Sequence, residues 1–311
     1  MDASRIVRAD YANPAYAALA AEAIERWRNT EWGRDGRYTE SGLLLVYPDG
    51  DSNASTYALK SYENVKPIEG DRVVYLPTRA DVHRVAPAYR EEDLTNIAGG
   101  YVNWGSGWSH AEDTVRYVKR RLDEEGKVTF RTASPVEKVL FNDDASAAAA
   151  ATGVLLTDGT RVSADLIILA AGAWSPGLID LRDRAVSTGQ TVAFLPISDE
   201  ELALLSRMPT ILNFANGIFI IPPRGNNRLK IARHAYGYHN PKSIPMPGSS
   251  AAVQVRDVVS LPEPGVPIPL EGELAFRTAL KELLPSLAER PFIETRVCWY
   301  TDTYVVIPVY I

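Results

Sequence analysis

Apolar positions recur along this chain at two spacings, near every third or fourth residue in some stretches and at every second residue or in unbroken short runs in others. Asn13-Pro14 offers a capping side chain followed by proline at a first helical position, and the Ala-rich stretch from Ala15 to Trp27 continues it as a helix. Ser41 to Tyr47 (SGLLLVY) reads as a short buried strand closed by Pro48-Asp49-Gly50, and Thr78 to Val85 as a brief capped helix, with a loop-rich region between them. Ser109-His110-Ala111-Glu112 has the spacing of a capping box, and the helix it opens carries Val115, Val118 and Leu122 before Gly126 stops it.

From Lys127 the rhythm changes. Val128 to Phe130, Val136 to Phe141, Gly153 to Thr157 and Arg161 to Ser163 form a predicted meander, with Asp158-Gly159 as a hairpin turn and the low-complexity tract Asp143 to Thr152 as an exposed insertion. The continuous run Ala164 to Trp174 is rich in branched residues and reads as a parallel strand buried on both faces. Beyond Pro176, strands at Thr191 to Pro196, Gly217 to Pro222 and Arg228 to Ala232 alternate with helices at Ser198 to Arg207 and Glu271 to Leu284. This mixture predicts a second sheet with helices laid on one side. The fold class expected is α/β with mixed α and β content.

Composition narrows the function. The chain has 311 residues, 46% of them hydrophobic, enough for one large domain or two. A net charge of -6 without a long basic block gives no footprint for nucleic acid or an anionic membrane, so small-molecule chemistry is expected. A single cysteine, Cys298, excludes an intramolecular disulfide and fits a reducing, intracellular compartment, cytoplasmic or peroxisomal, although no peroxisomal address ends the chain. Neither a signal peptide nor a membrane span is expected, nor a metal site, and a monomer is the expected state.

Four segments carry candidate chemistry. Ala170-Ala171-Gly172-Ala173-Trp174 ends the predicted buried strand with small residues; this reads first as tight packing, and otherwise as close approach of main chain to a flat ligand. Ser4-Arg5-Ile6-Val7-Arg8 places two guanidinium groups three residues apart, ordinarily a solvated face. Leu229-Lys230-Ile231-Ala232-Arg233-His234 puts Lys230 and His234 on one face of a strand, from which both could address one cavity. In Arg296 to Thr303, Cys298 and Tyr300 likewise share a face, and a lone cysteine is most simply a small buried hydrophobe.

Taken in order from Arg5 to Thr303, these segments resemble the D-amino-acid-oxidase-like FAD proteins, and within them monomeric sarcosine oxidase and the fructosyl-amino-acid oxidases, or amadoriases. The resemblance implies an FAD-binding domain remnant over residues 1–40 and 98–185, a mixed-sheet substrate domain over 41–97 and 186–297, and a return to the FAD domain at 298–311. It implies FAD as cofactor, with Arg5, Val136, Ala171, Gly172, Trp174 and Cys298 beside it, Cys298 being the candidate for covalent attachment. It further implies Arg8 as the group that binds substrate carboxylate, Lys230 as a cation stabilising charge as oxygen is reduced, and His234 and Tyr300 as pocket residues. Ala171-Gly172 is then expected to share one cleft with Arg5 and Arg8. The implied reaction is oxidation of the C–N bond of a secondary amine by oxygen to give hydrogen peroxide. Substrates range over sarcosine-like, pipecolate-like, saccharopine-like and fructosyl amino acids. His234 stands where amadoriases more often carry an acid, which tilts the expectation from sugar amines toward simpler ones.

One departure from that resemblance is plain. A strand, G-x-G-x-x-G turn and helix for the pyrophosphate is not present in the sequence, and Tyr304 to Ile311 is unlike the family. The expectation is therefore a chain truncated at both ends that holds FAD weakly, with a non-catalytic fragment as the competing reading.

Overall fold

The computed structural model describes residues 4–50, 52–142, 150–182, 184–245, 247 and 256–303. Most of the insertion expected at 143–152, and the C-terminal residues 304–311, lie outside the described residues.

From the N-terminus the elements run β1 (Arg5–Val7), α1 (Pro14–Asn29), β2 (Tyr38–Thr39), β3 (Leu43–Tyr47), α2 (Asn53–Glu69), β4 (Val73–Leu76), α3 (Arg79–Val85), β5 (Gly99–Asn103), β6 (Gly107–Ser109) and α4 (Ala111–Glu125). They continue with β7 (Val136–Phe141), β8 (Ala151–Leu156), β9 (Arg161–Ser163), β10 (Ala185–Pro196), α5 (Asp199–Leu205), β11 (Thr210–Asn213), β12 (Ile218–Ile221) and β13 (Arg228–Arg233). Last come β14 (Pro241–Pro245), β15 (Arg256–Ser260), α6 (Leu270–Leu283) and β16 (Glu294–Thr303).

An eight-stranded mixed sheet, ordered β16-β10-β13-β12-β11-β3-β5-β4, organises the molecule. Its pairs are antiparallel except β11 with β3. Alternation along β3 divides the core in two. Leu44 and Val46 join Phe276, Leu280 and Leu283 of α6 on one face; Leu43, Leu45 and Tyr47 join Ile24 of α1 and Tyr57, Ala58 and Val65 of α2 on the other. Helices thus cover both faces of the sheet, not one, because both faces are apolar and both must be shielded from water.

Several local expectations give way for identifiable reasons. The supposedly loop-rich region contains the 17-residue α2, opened by a Ser52–Ser55 capping box. Its buried stripe of Ser55, Tyr57, Ala58, Ser61 and Val65 is built largely from small or polar residues, so it carries a faint apolar signal. His110, not Ser109, caps α4, its ring nitrogen accepting from the Asp113 amide. Lys127 to Phe130 is not a strand. β16 runs unbroken through Cys298 while paired to β10 from Ala185 to Phe194, so no structural break falls at residue 298.

The largest departure is at 164–171, which forms no strand. Leu166 and Ile168 are 77% and 81% exposed, and the 3-10 turn Gly172–Gly177 follows directly. An apolar run becomes a buried strand only when other strands pair with it, and among the described residues none does. We predict that Ile168→Ser changes unfolding free energy by less than about 0.5 kcal/mol in a denaturant titration, as for exposed sites. A loss of ~2 kcal/mol or more, the scale of a core residue, would contradict this placement. Among the described residues no helix is long and apolar enough to cross a membrane, and no group of His, Cys, Asp or Glu could hold a metal ion.

Candidate active site

Four strand-borne or strand-adjacent side chains lie on the face of the sheet that also packs α1 and α2. Alternation along β13 brings Lys230 and, just past its end, His234 to this face, and β16 presents Cys298 and Tyr300. The His234 backbone N–H is held by the Gly217 carbonyl at 2.9 Å, which fixes where the ring starts. β1 lies across them: the Lys230 Nζ donates to the Ser4 carbonyl at 2.7 Å, and Arg5 Nη1 donates to the Tyr300 hydroxyl at 3.3 Å.

A cavity of about 360 Å³ opens beside β1, lined among others by Arg5, Arg8, Tyr11, Phe219, His234 and Tyr300. His234 and Tyr300 meet edge to face, ring centroids 5.3 Å apart. Arg8 donates to the Asp10 carbonyl and stacks over Tyr11 with its Cζ 4.3 Å from the ring centroid. Two guanidinium groups among aromatic walls make a chamber for an anion joined to an apolar body.

Arg5, Arg8, His234 and Tyr300 are therefore brought together, whereas Lys230 is not. It is 4% exposed and lines a second cavity, of about 240 Å³, with Trp108, His110, Arg224, Arg228 and Arg296. The expectation that Lys230, His234 and Tyr300 face one cavity fails because Ser4 to Ile6 cross between them: Ser4 lines the second cavity, Arg5 and Ile6 the first. Sharing a strand face sets direction, not compartment. Lys230 is accordingly given no part in the amine-sized cavity; it anchors the start of β1.

Ala171, Gly172, Trp174 and Val136 line neither of these two cavities. Trp174 is 53% exposed, and Val136 sits exposed in the separate β7-β8-β9 sheet. The packing of the 3-10 turn is through buried Ala173 and Pro176, which leaves Gly172, at φ +52°, with open space where a side chain would stand. Cys298 is half-buried against the α1/α2 core. Tyr11, Phe219, Leu212 and Phe214 complete the cavity and were not singled out from the sequence. Only Tyr11, three residues after Arg8, lies close enough to a recognised motif to have been flagged.

Electrostatics assign protonation states. Burial pushes the His234 imidazole below its ordinary value of 6.5, opposed by Asp302 and reinforced by the Arg8 and Arg5 charges. The ring is therefore neutral near neutral pH and can accept a proton or hydrogen bond. Burial disfavours the Arg8 charge, yet Tyr11, Tyr57, Asp10 and Tyr101 outweigh it and raise the guanidinium above its ordinary value. Because the folded His234 value is depressed, its contribution to stability is complete above the unfolded value of 6.5 and is lost as pH falls through the lowered one. Melts compared from about pH 5 to about pH 7 should show the wild type gaining on His234→Asn as pH rises; parallel curves would contradict the assignment.

With this geometry in view, comparison with known proteins is decisive on the family. The profile of the FAD dependent oxidoreductase family (DAO) matches residues 2–308. The chain belongs to that family. Among characterised relatives, it is 29% identical to the amino acid oxidase imqH of Aspergillus flavus, over 97% of this chain and 72% of the relative. It is 27% identical to the L-saccharopine oxidase of Schizosaccharomyces pombe, over 97% and 70%. A modified fructosyl peptide oxidase from Aspergillus nidulans, determined in complex with FSA, superposes with a TM-score of 0.84 at 25% identity, over 97% of this chain and 69% of that one. A thermally stable fructosyl peptide oxidase mutant reaches the same TM-score at 23% identity, over 97% and 70%, a likeness of fold.

This DAO-family member is an FAD-dependent oxidoreductase of the amino acid, fructosyl amino acid and saccharopine oxidase type, and its residues match the cofactor unevenly. Arg5 and Tyr300 line one cavity and have donors suited to a polar heterocycle such as the flavin ring. At the pyrophosphate end the fit fails among the described residues. The N-termini of α1 to α5 each have one or two donors taken by a side chain, of Asn13, Ser52, Thr78, His110 and Ser198, and α6, which starts after Pro269 without a capping side chain, carries Glu271 and Glu273 in its first turn, where an anion is repelled.

Proposed function

We propose that this oxidoreductase acts on an N-alkyl amino acid with an apolar or aromatic side chain, and that oxygen is the electron acceptor. The observation that carries the reading is the cavity that joins Arg8, neutral His234 and Tyr300. Arg8, planar and firmly charged, binds the substrate carboxylate through paired N–H donors. The carboxylate, once held, directs the amine toward His234, whose neutral ring accepts a hydrogen bond from the nitrogen and favours its uncharged form. Tyr300 is oriented by Arg5 and closes the same wall, while Tyr11, Phe214 and Phe219 exclude water and pack the apolar body.

Bound FAD supplies acceptance of hydride from the carbon next to nitrogen. Loss of that hydride from the neutral amine would leave an iminium ion, which water would hydrolyse to a free amine and a carbonyl compound; the two electrons, passed with two protons to oxygen, would give hydrogen peroxide. Cys298 is the candidate for a thioether to the cofactor.

Aromatic walls favour this class over a fructosyl amino acid, a sugar amine like the fructosyl peptide named for the Aspergillus nidulans neighbour. A sugar chain would bring several hydroxyls among Ile6, Leu212, Phe214 and Phe219, and each left without a partner costs about 1–3 kcal/mol. The experiment supplies FAD in excess and measures peroxide from N-methyl-L-phenylalanine, L-pipecolate, L-saccharopine and fructosyl-valine. The first two are expected to outrun the last by about tenfold or more in kcat/KM. Preference for fructosyl-valine would overturn the substrate assignment.

A further inference from the structure

Close below the cavity is a charge that the proposed chemistry does not use. Asp10 is fully buried, 0% exposed, and its carboxylate is held by neutral donors: Ser106 Oγ at 2.6 Å and Asn103 Nδ2 at 3.2 Å to each oxygen. Burying a carboxylate is expensive unless something recovers the cost, and an asparagine would keep the same shape without the charge. Asn103 ends β5 and Ser106 lies in the turn before β6, so these bonds fasten residues 8–11 to the sheet. The same residue's carbonyl accepts from Arg8, whose guanidinium lies flat on Tyr11.

We propose that Asp10 is a positioning residue: its buried carboxylate, locked by Asn103 and Ser106, holds the 8–11 turn and the charge of Arg8 at the wall of the amine cavity. Two links make it so. The mechanical one runs from the carboxylate through the Asp10 main chain to the Arg8 guanidinium. The electrostatic one is direct: burial pushes the Asp10 carboxyl above its ordinary range, Ser106, the Arg8 charge and Asn103 oppose that rise and favour the ionised form, and the Asp10 charge in turn favours a protonated Arg8. Tyr101, Tyr57 and Tyr11 surround the pair and keep its field from being screened by water. The consequence for this site rests on the amine-oxidase reading above: Arg8 meets substrate already aimed, without the entropy cost of ordering a long side chain.

The test reads Arg8 itself and needs no substrate, so its outcome is independent of whether the substrate assignment holds. The purified chain is labelled with phenylglyoxal, and modification at Arg8 and Arg5 is followed by peptide mass spectrometry. Arg5 is the internal reference, since it lines the same cavity but is held by Tyr300. In Asp10→Asn, Arg8 modification is expected to rise roughly fivefold with Arg5 unchanged. Ser106→Ala, which keeps the charge but removes the 2.6 Å bond, should shift Arg8 in the same direction by less, and serves if Asp10→Asn does not fold. Unchanged Arg8 labelling, or an equal rise at Arg5 and Arg8, would overturn the proposal. On the substrate side, Asp10→Asn should weaken binding of N-methyl-L-phenylalanine about tenfold while leaving its carboxamide unaffected. Equal weakening of both would mark a merely structural role.

Discussion

Arg8→Ala is expected to weaken binding of N-methyl-L-phenylalanine by about 100-fold, ~3 kcal/mol, in a calorimetric titration, and to leave the carboxamide of the same compound nearly unaffected. The size follows from where Arg8 sits. Its guanidinium faces a half-enclosed cavity with aromatic walls, where a carboxylate that loses its partner keeps the desolvation penalty without recovering it. Arg8→Lys should recover only part of the loss, since an ammonium offers a point charge where a planar fork makes two parallel bonds. Arg5 lines the same cavity but is engaged with Tyr300, so Arg5→Ala should cost less. An Arg8→Ala variant that binds the carboxylate within about threefold of the wild type would show that the substrate anion is held elsewhere.

The second large effect concerns how FAD is gripped. The pyrophosphate is the most concentrated charge on the cofactor and is ordinarily met by free backbone donors at a helix start. Among the described residues, the starts of α1 to α5 each have one or two donors taken by a capping side chain, the uncapped start of α6 carries Glu271 and Glu273, and Gly172 faces open space. The 311-residue chain is therefore expected to bind FAD no more than about threefold tighter than riboflavin, measured by quenching of flavin fluorescence. Flavin that stays with the acid-denatured polypeptide should be scarce and should vanish in Cys298→Ala. A preference for FAD over riboflavin of about 100-fold or more would mean that the pyrophosphate is held after all.

What could be read from the sequence, and what could not, divides along the range of the interaction involved. Short-range patterns transferred well. The helix start at Ser198, the Asn13-Pro14 helix start and the Gly126 stop are each decided within a turn of chain and stand where expected. Arg5 with Arg8, and His234 with Tyr300, were legible as motif residues, and they do share a cavity. Their aromatic surroundings were not, because Leu212, Phe214 and Phe219 reach the cavity only through the β11–β12 pairing. Lys230 shows the limit of face arguments: alternation correctly placed it beside His234, but the crossing of Ser4 to Ile6, a tertiary event, put it in another compartment. At 164–171, an apolar run was taken for a buried strand although burial depends on neighbours that the run itself does not encode. α2 erred in the opposite direction, its buried stripe being too small and polar to announce itself.

The central claim is that the Arg8, His234 and Tyr300 cavity of this FAD-dependent oxidoreductase presents a carboxylate-bearing secondary amine for oxidation. Anaerobic flavin bleaching tests it most directly, with FAD supplied at a concentration that saturates the chain and N-methyl-L-phenylalanine added without oxygen. Loss of the yellow absorbance is expected with that compound, with its return when oxygen is admitted, and no loss with the carboxamide or in Arg8→Ala. Absorbance that persists with N-methyl-L-phenylalanine despite bound FAD, or that falls equally with the carboxamide, would contradict it.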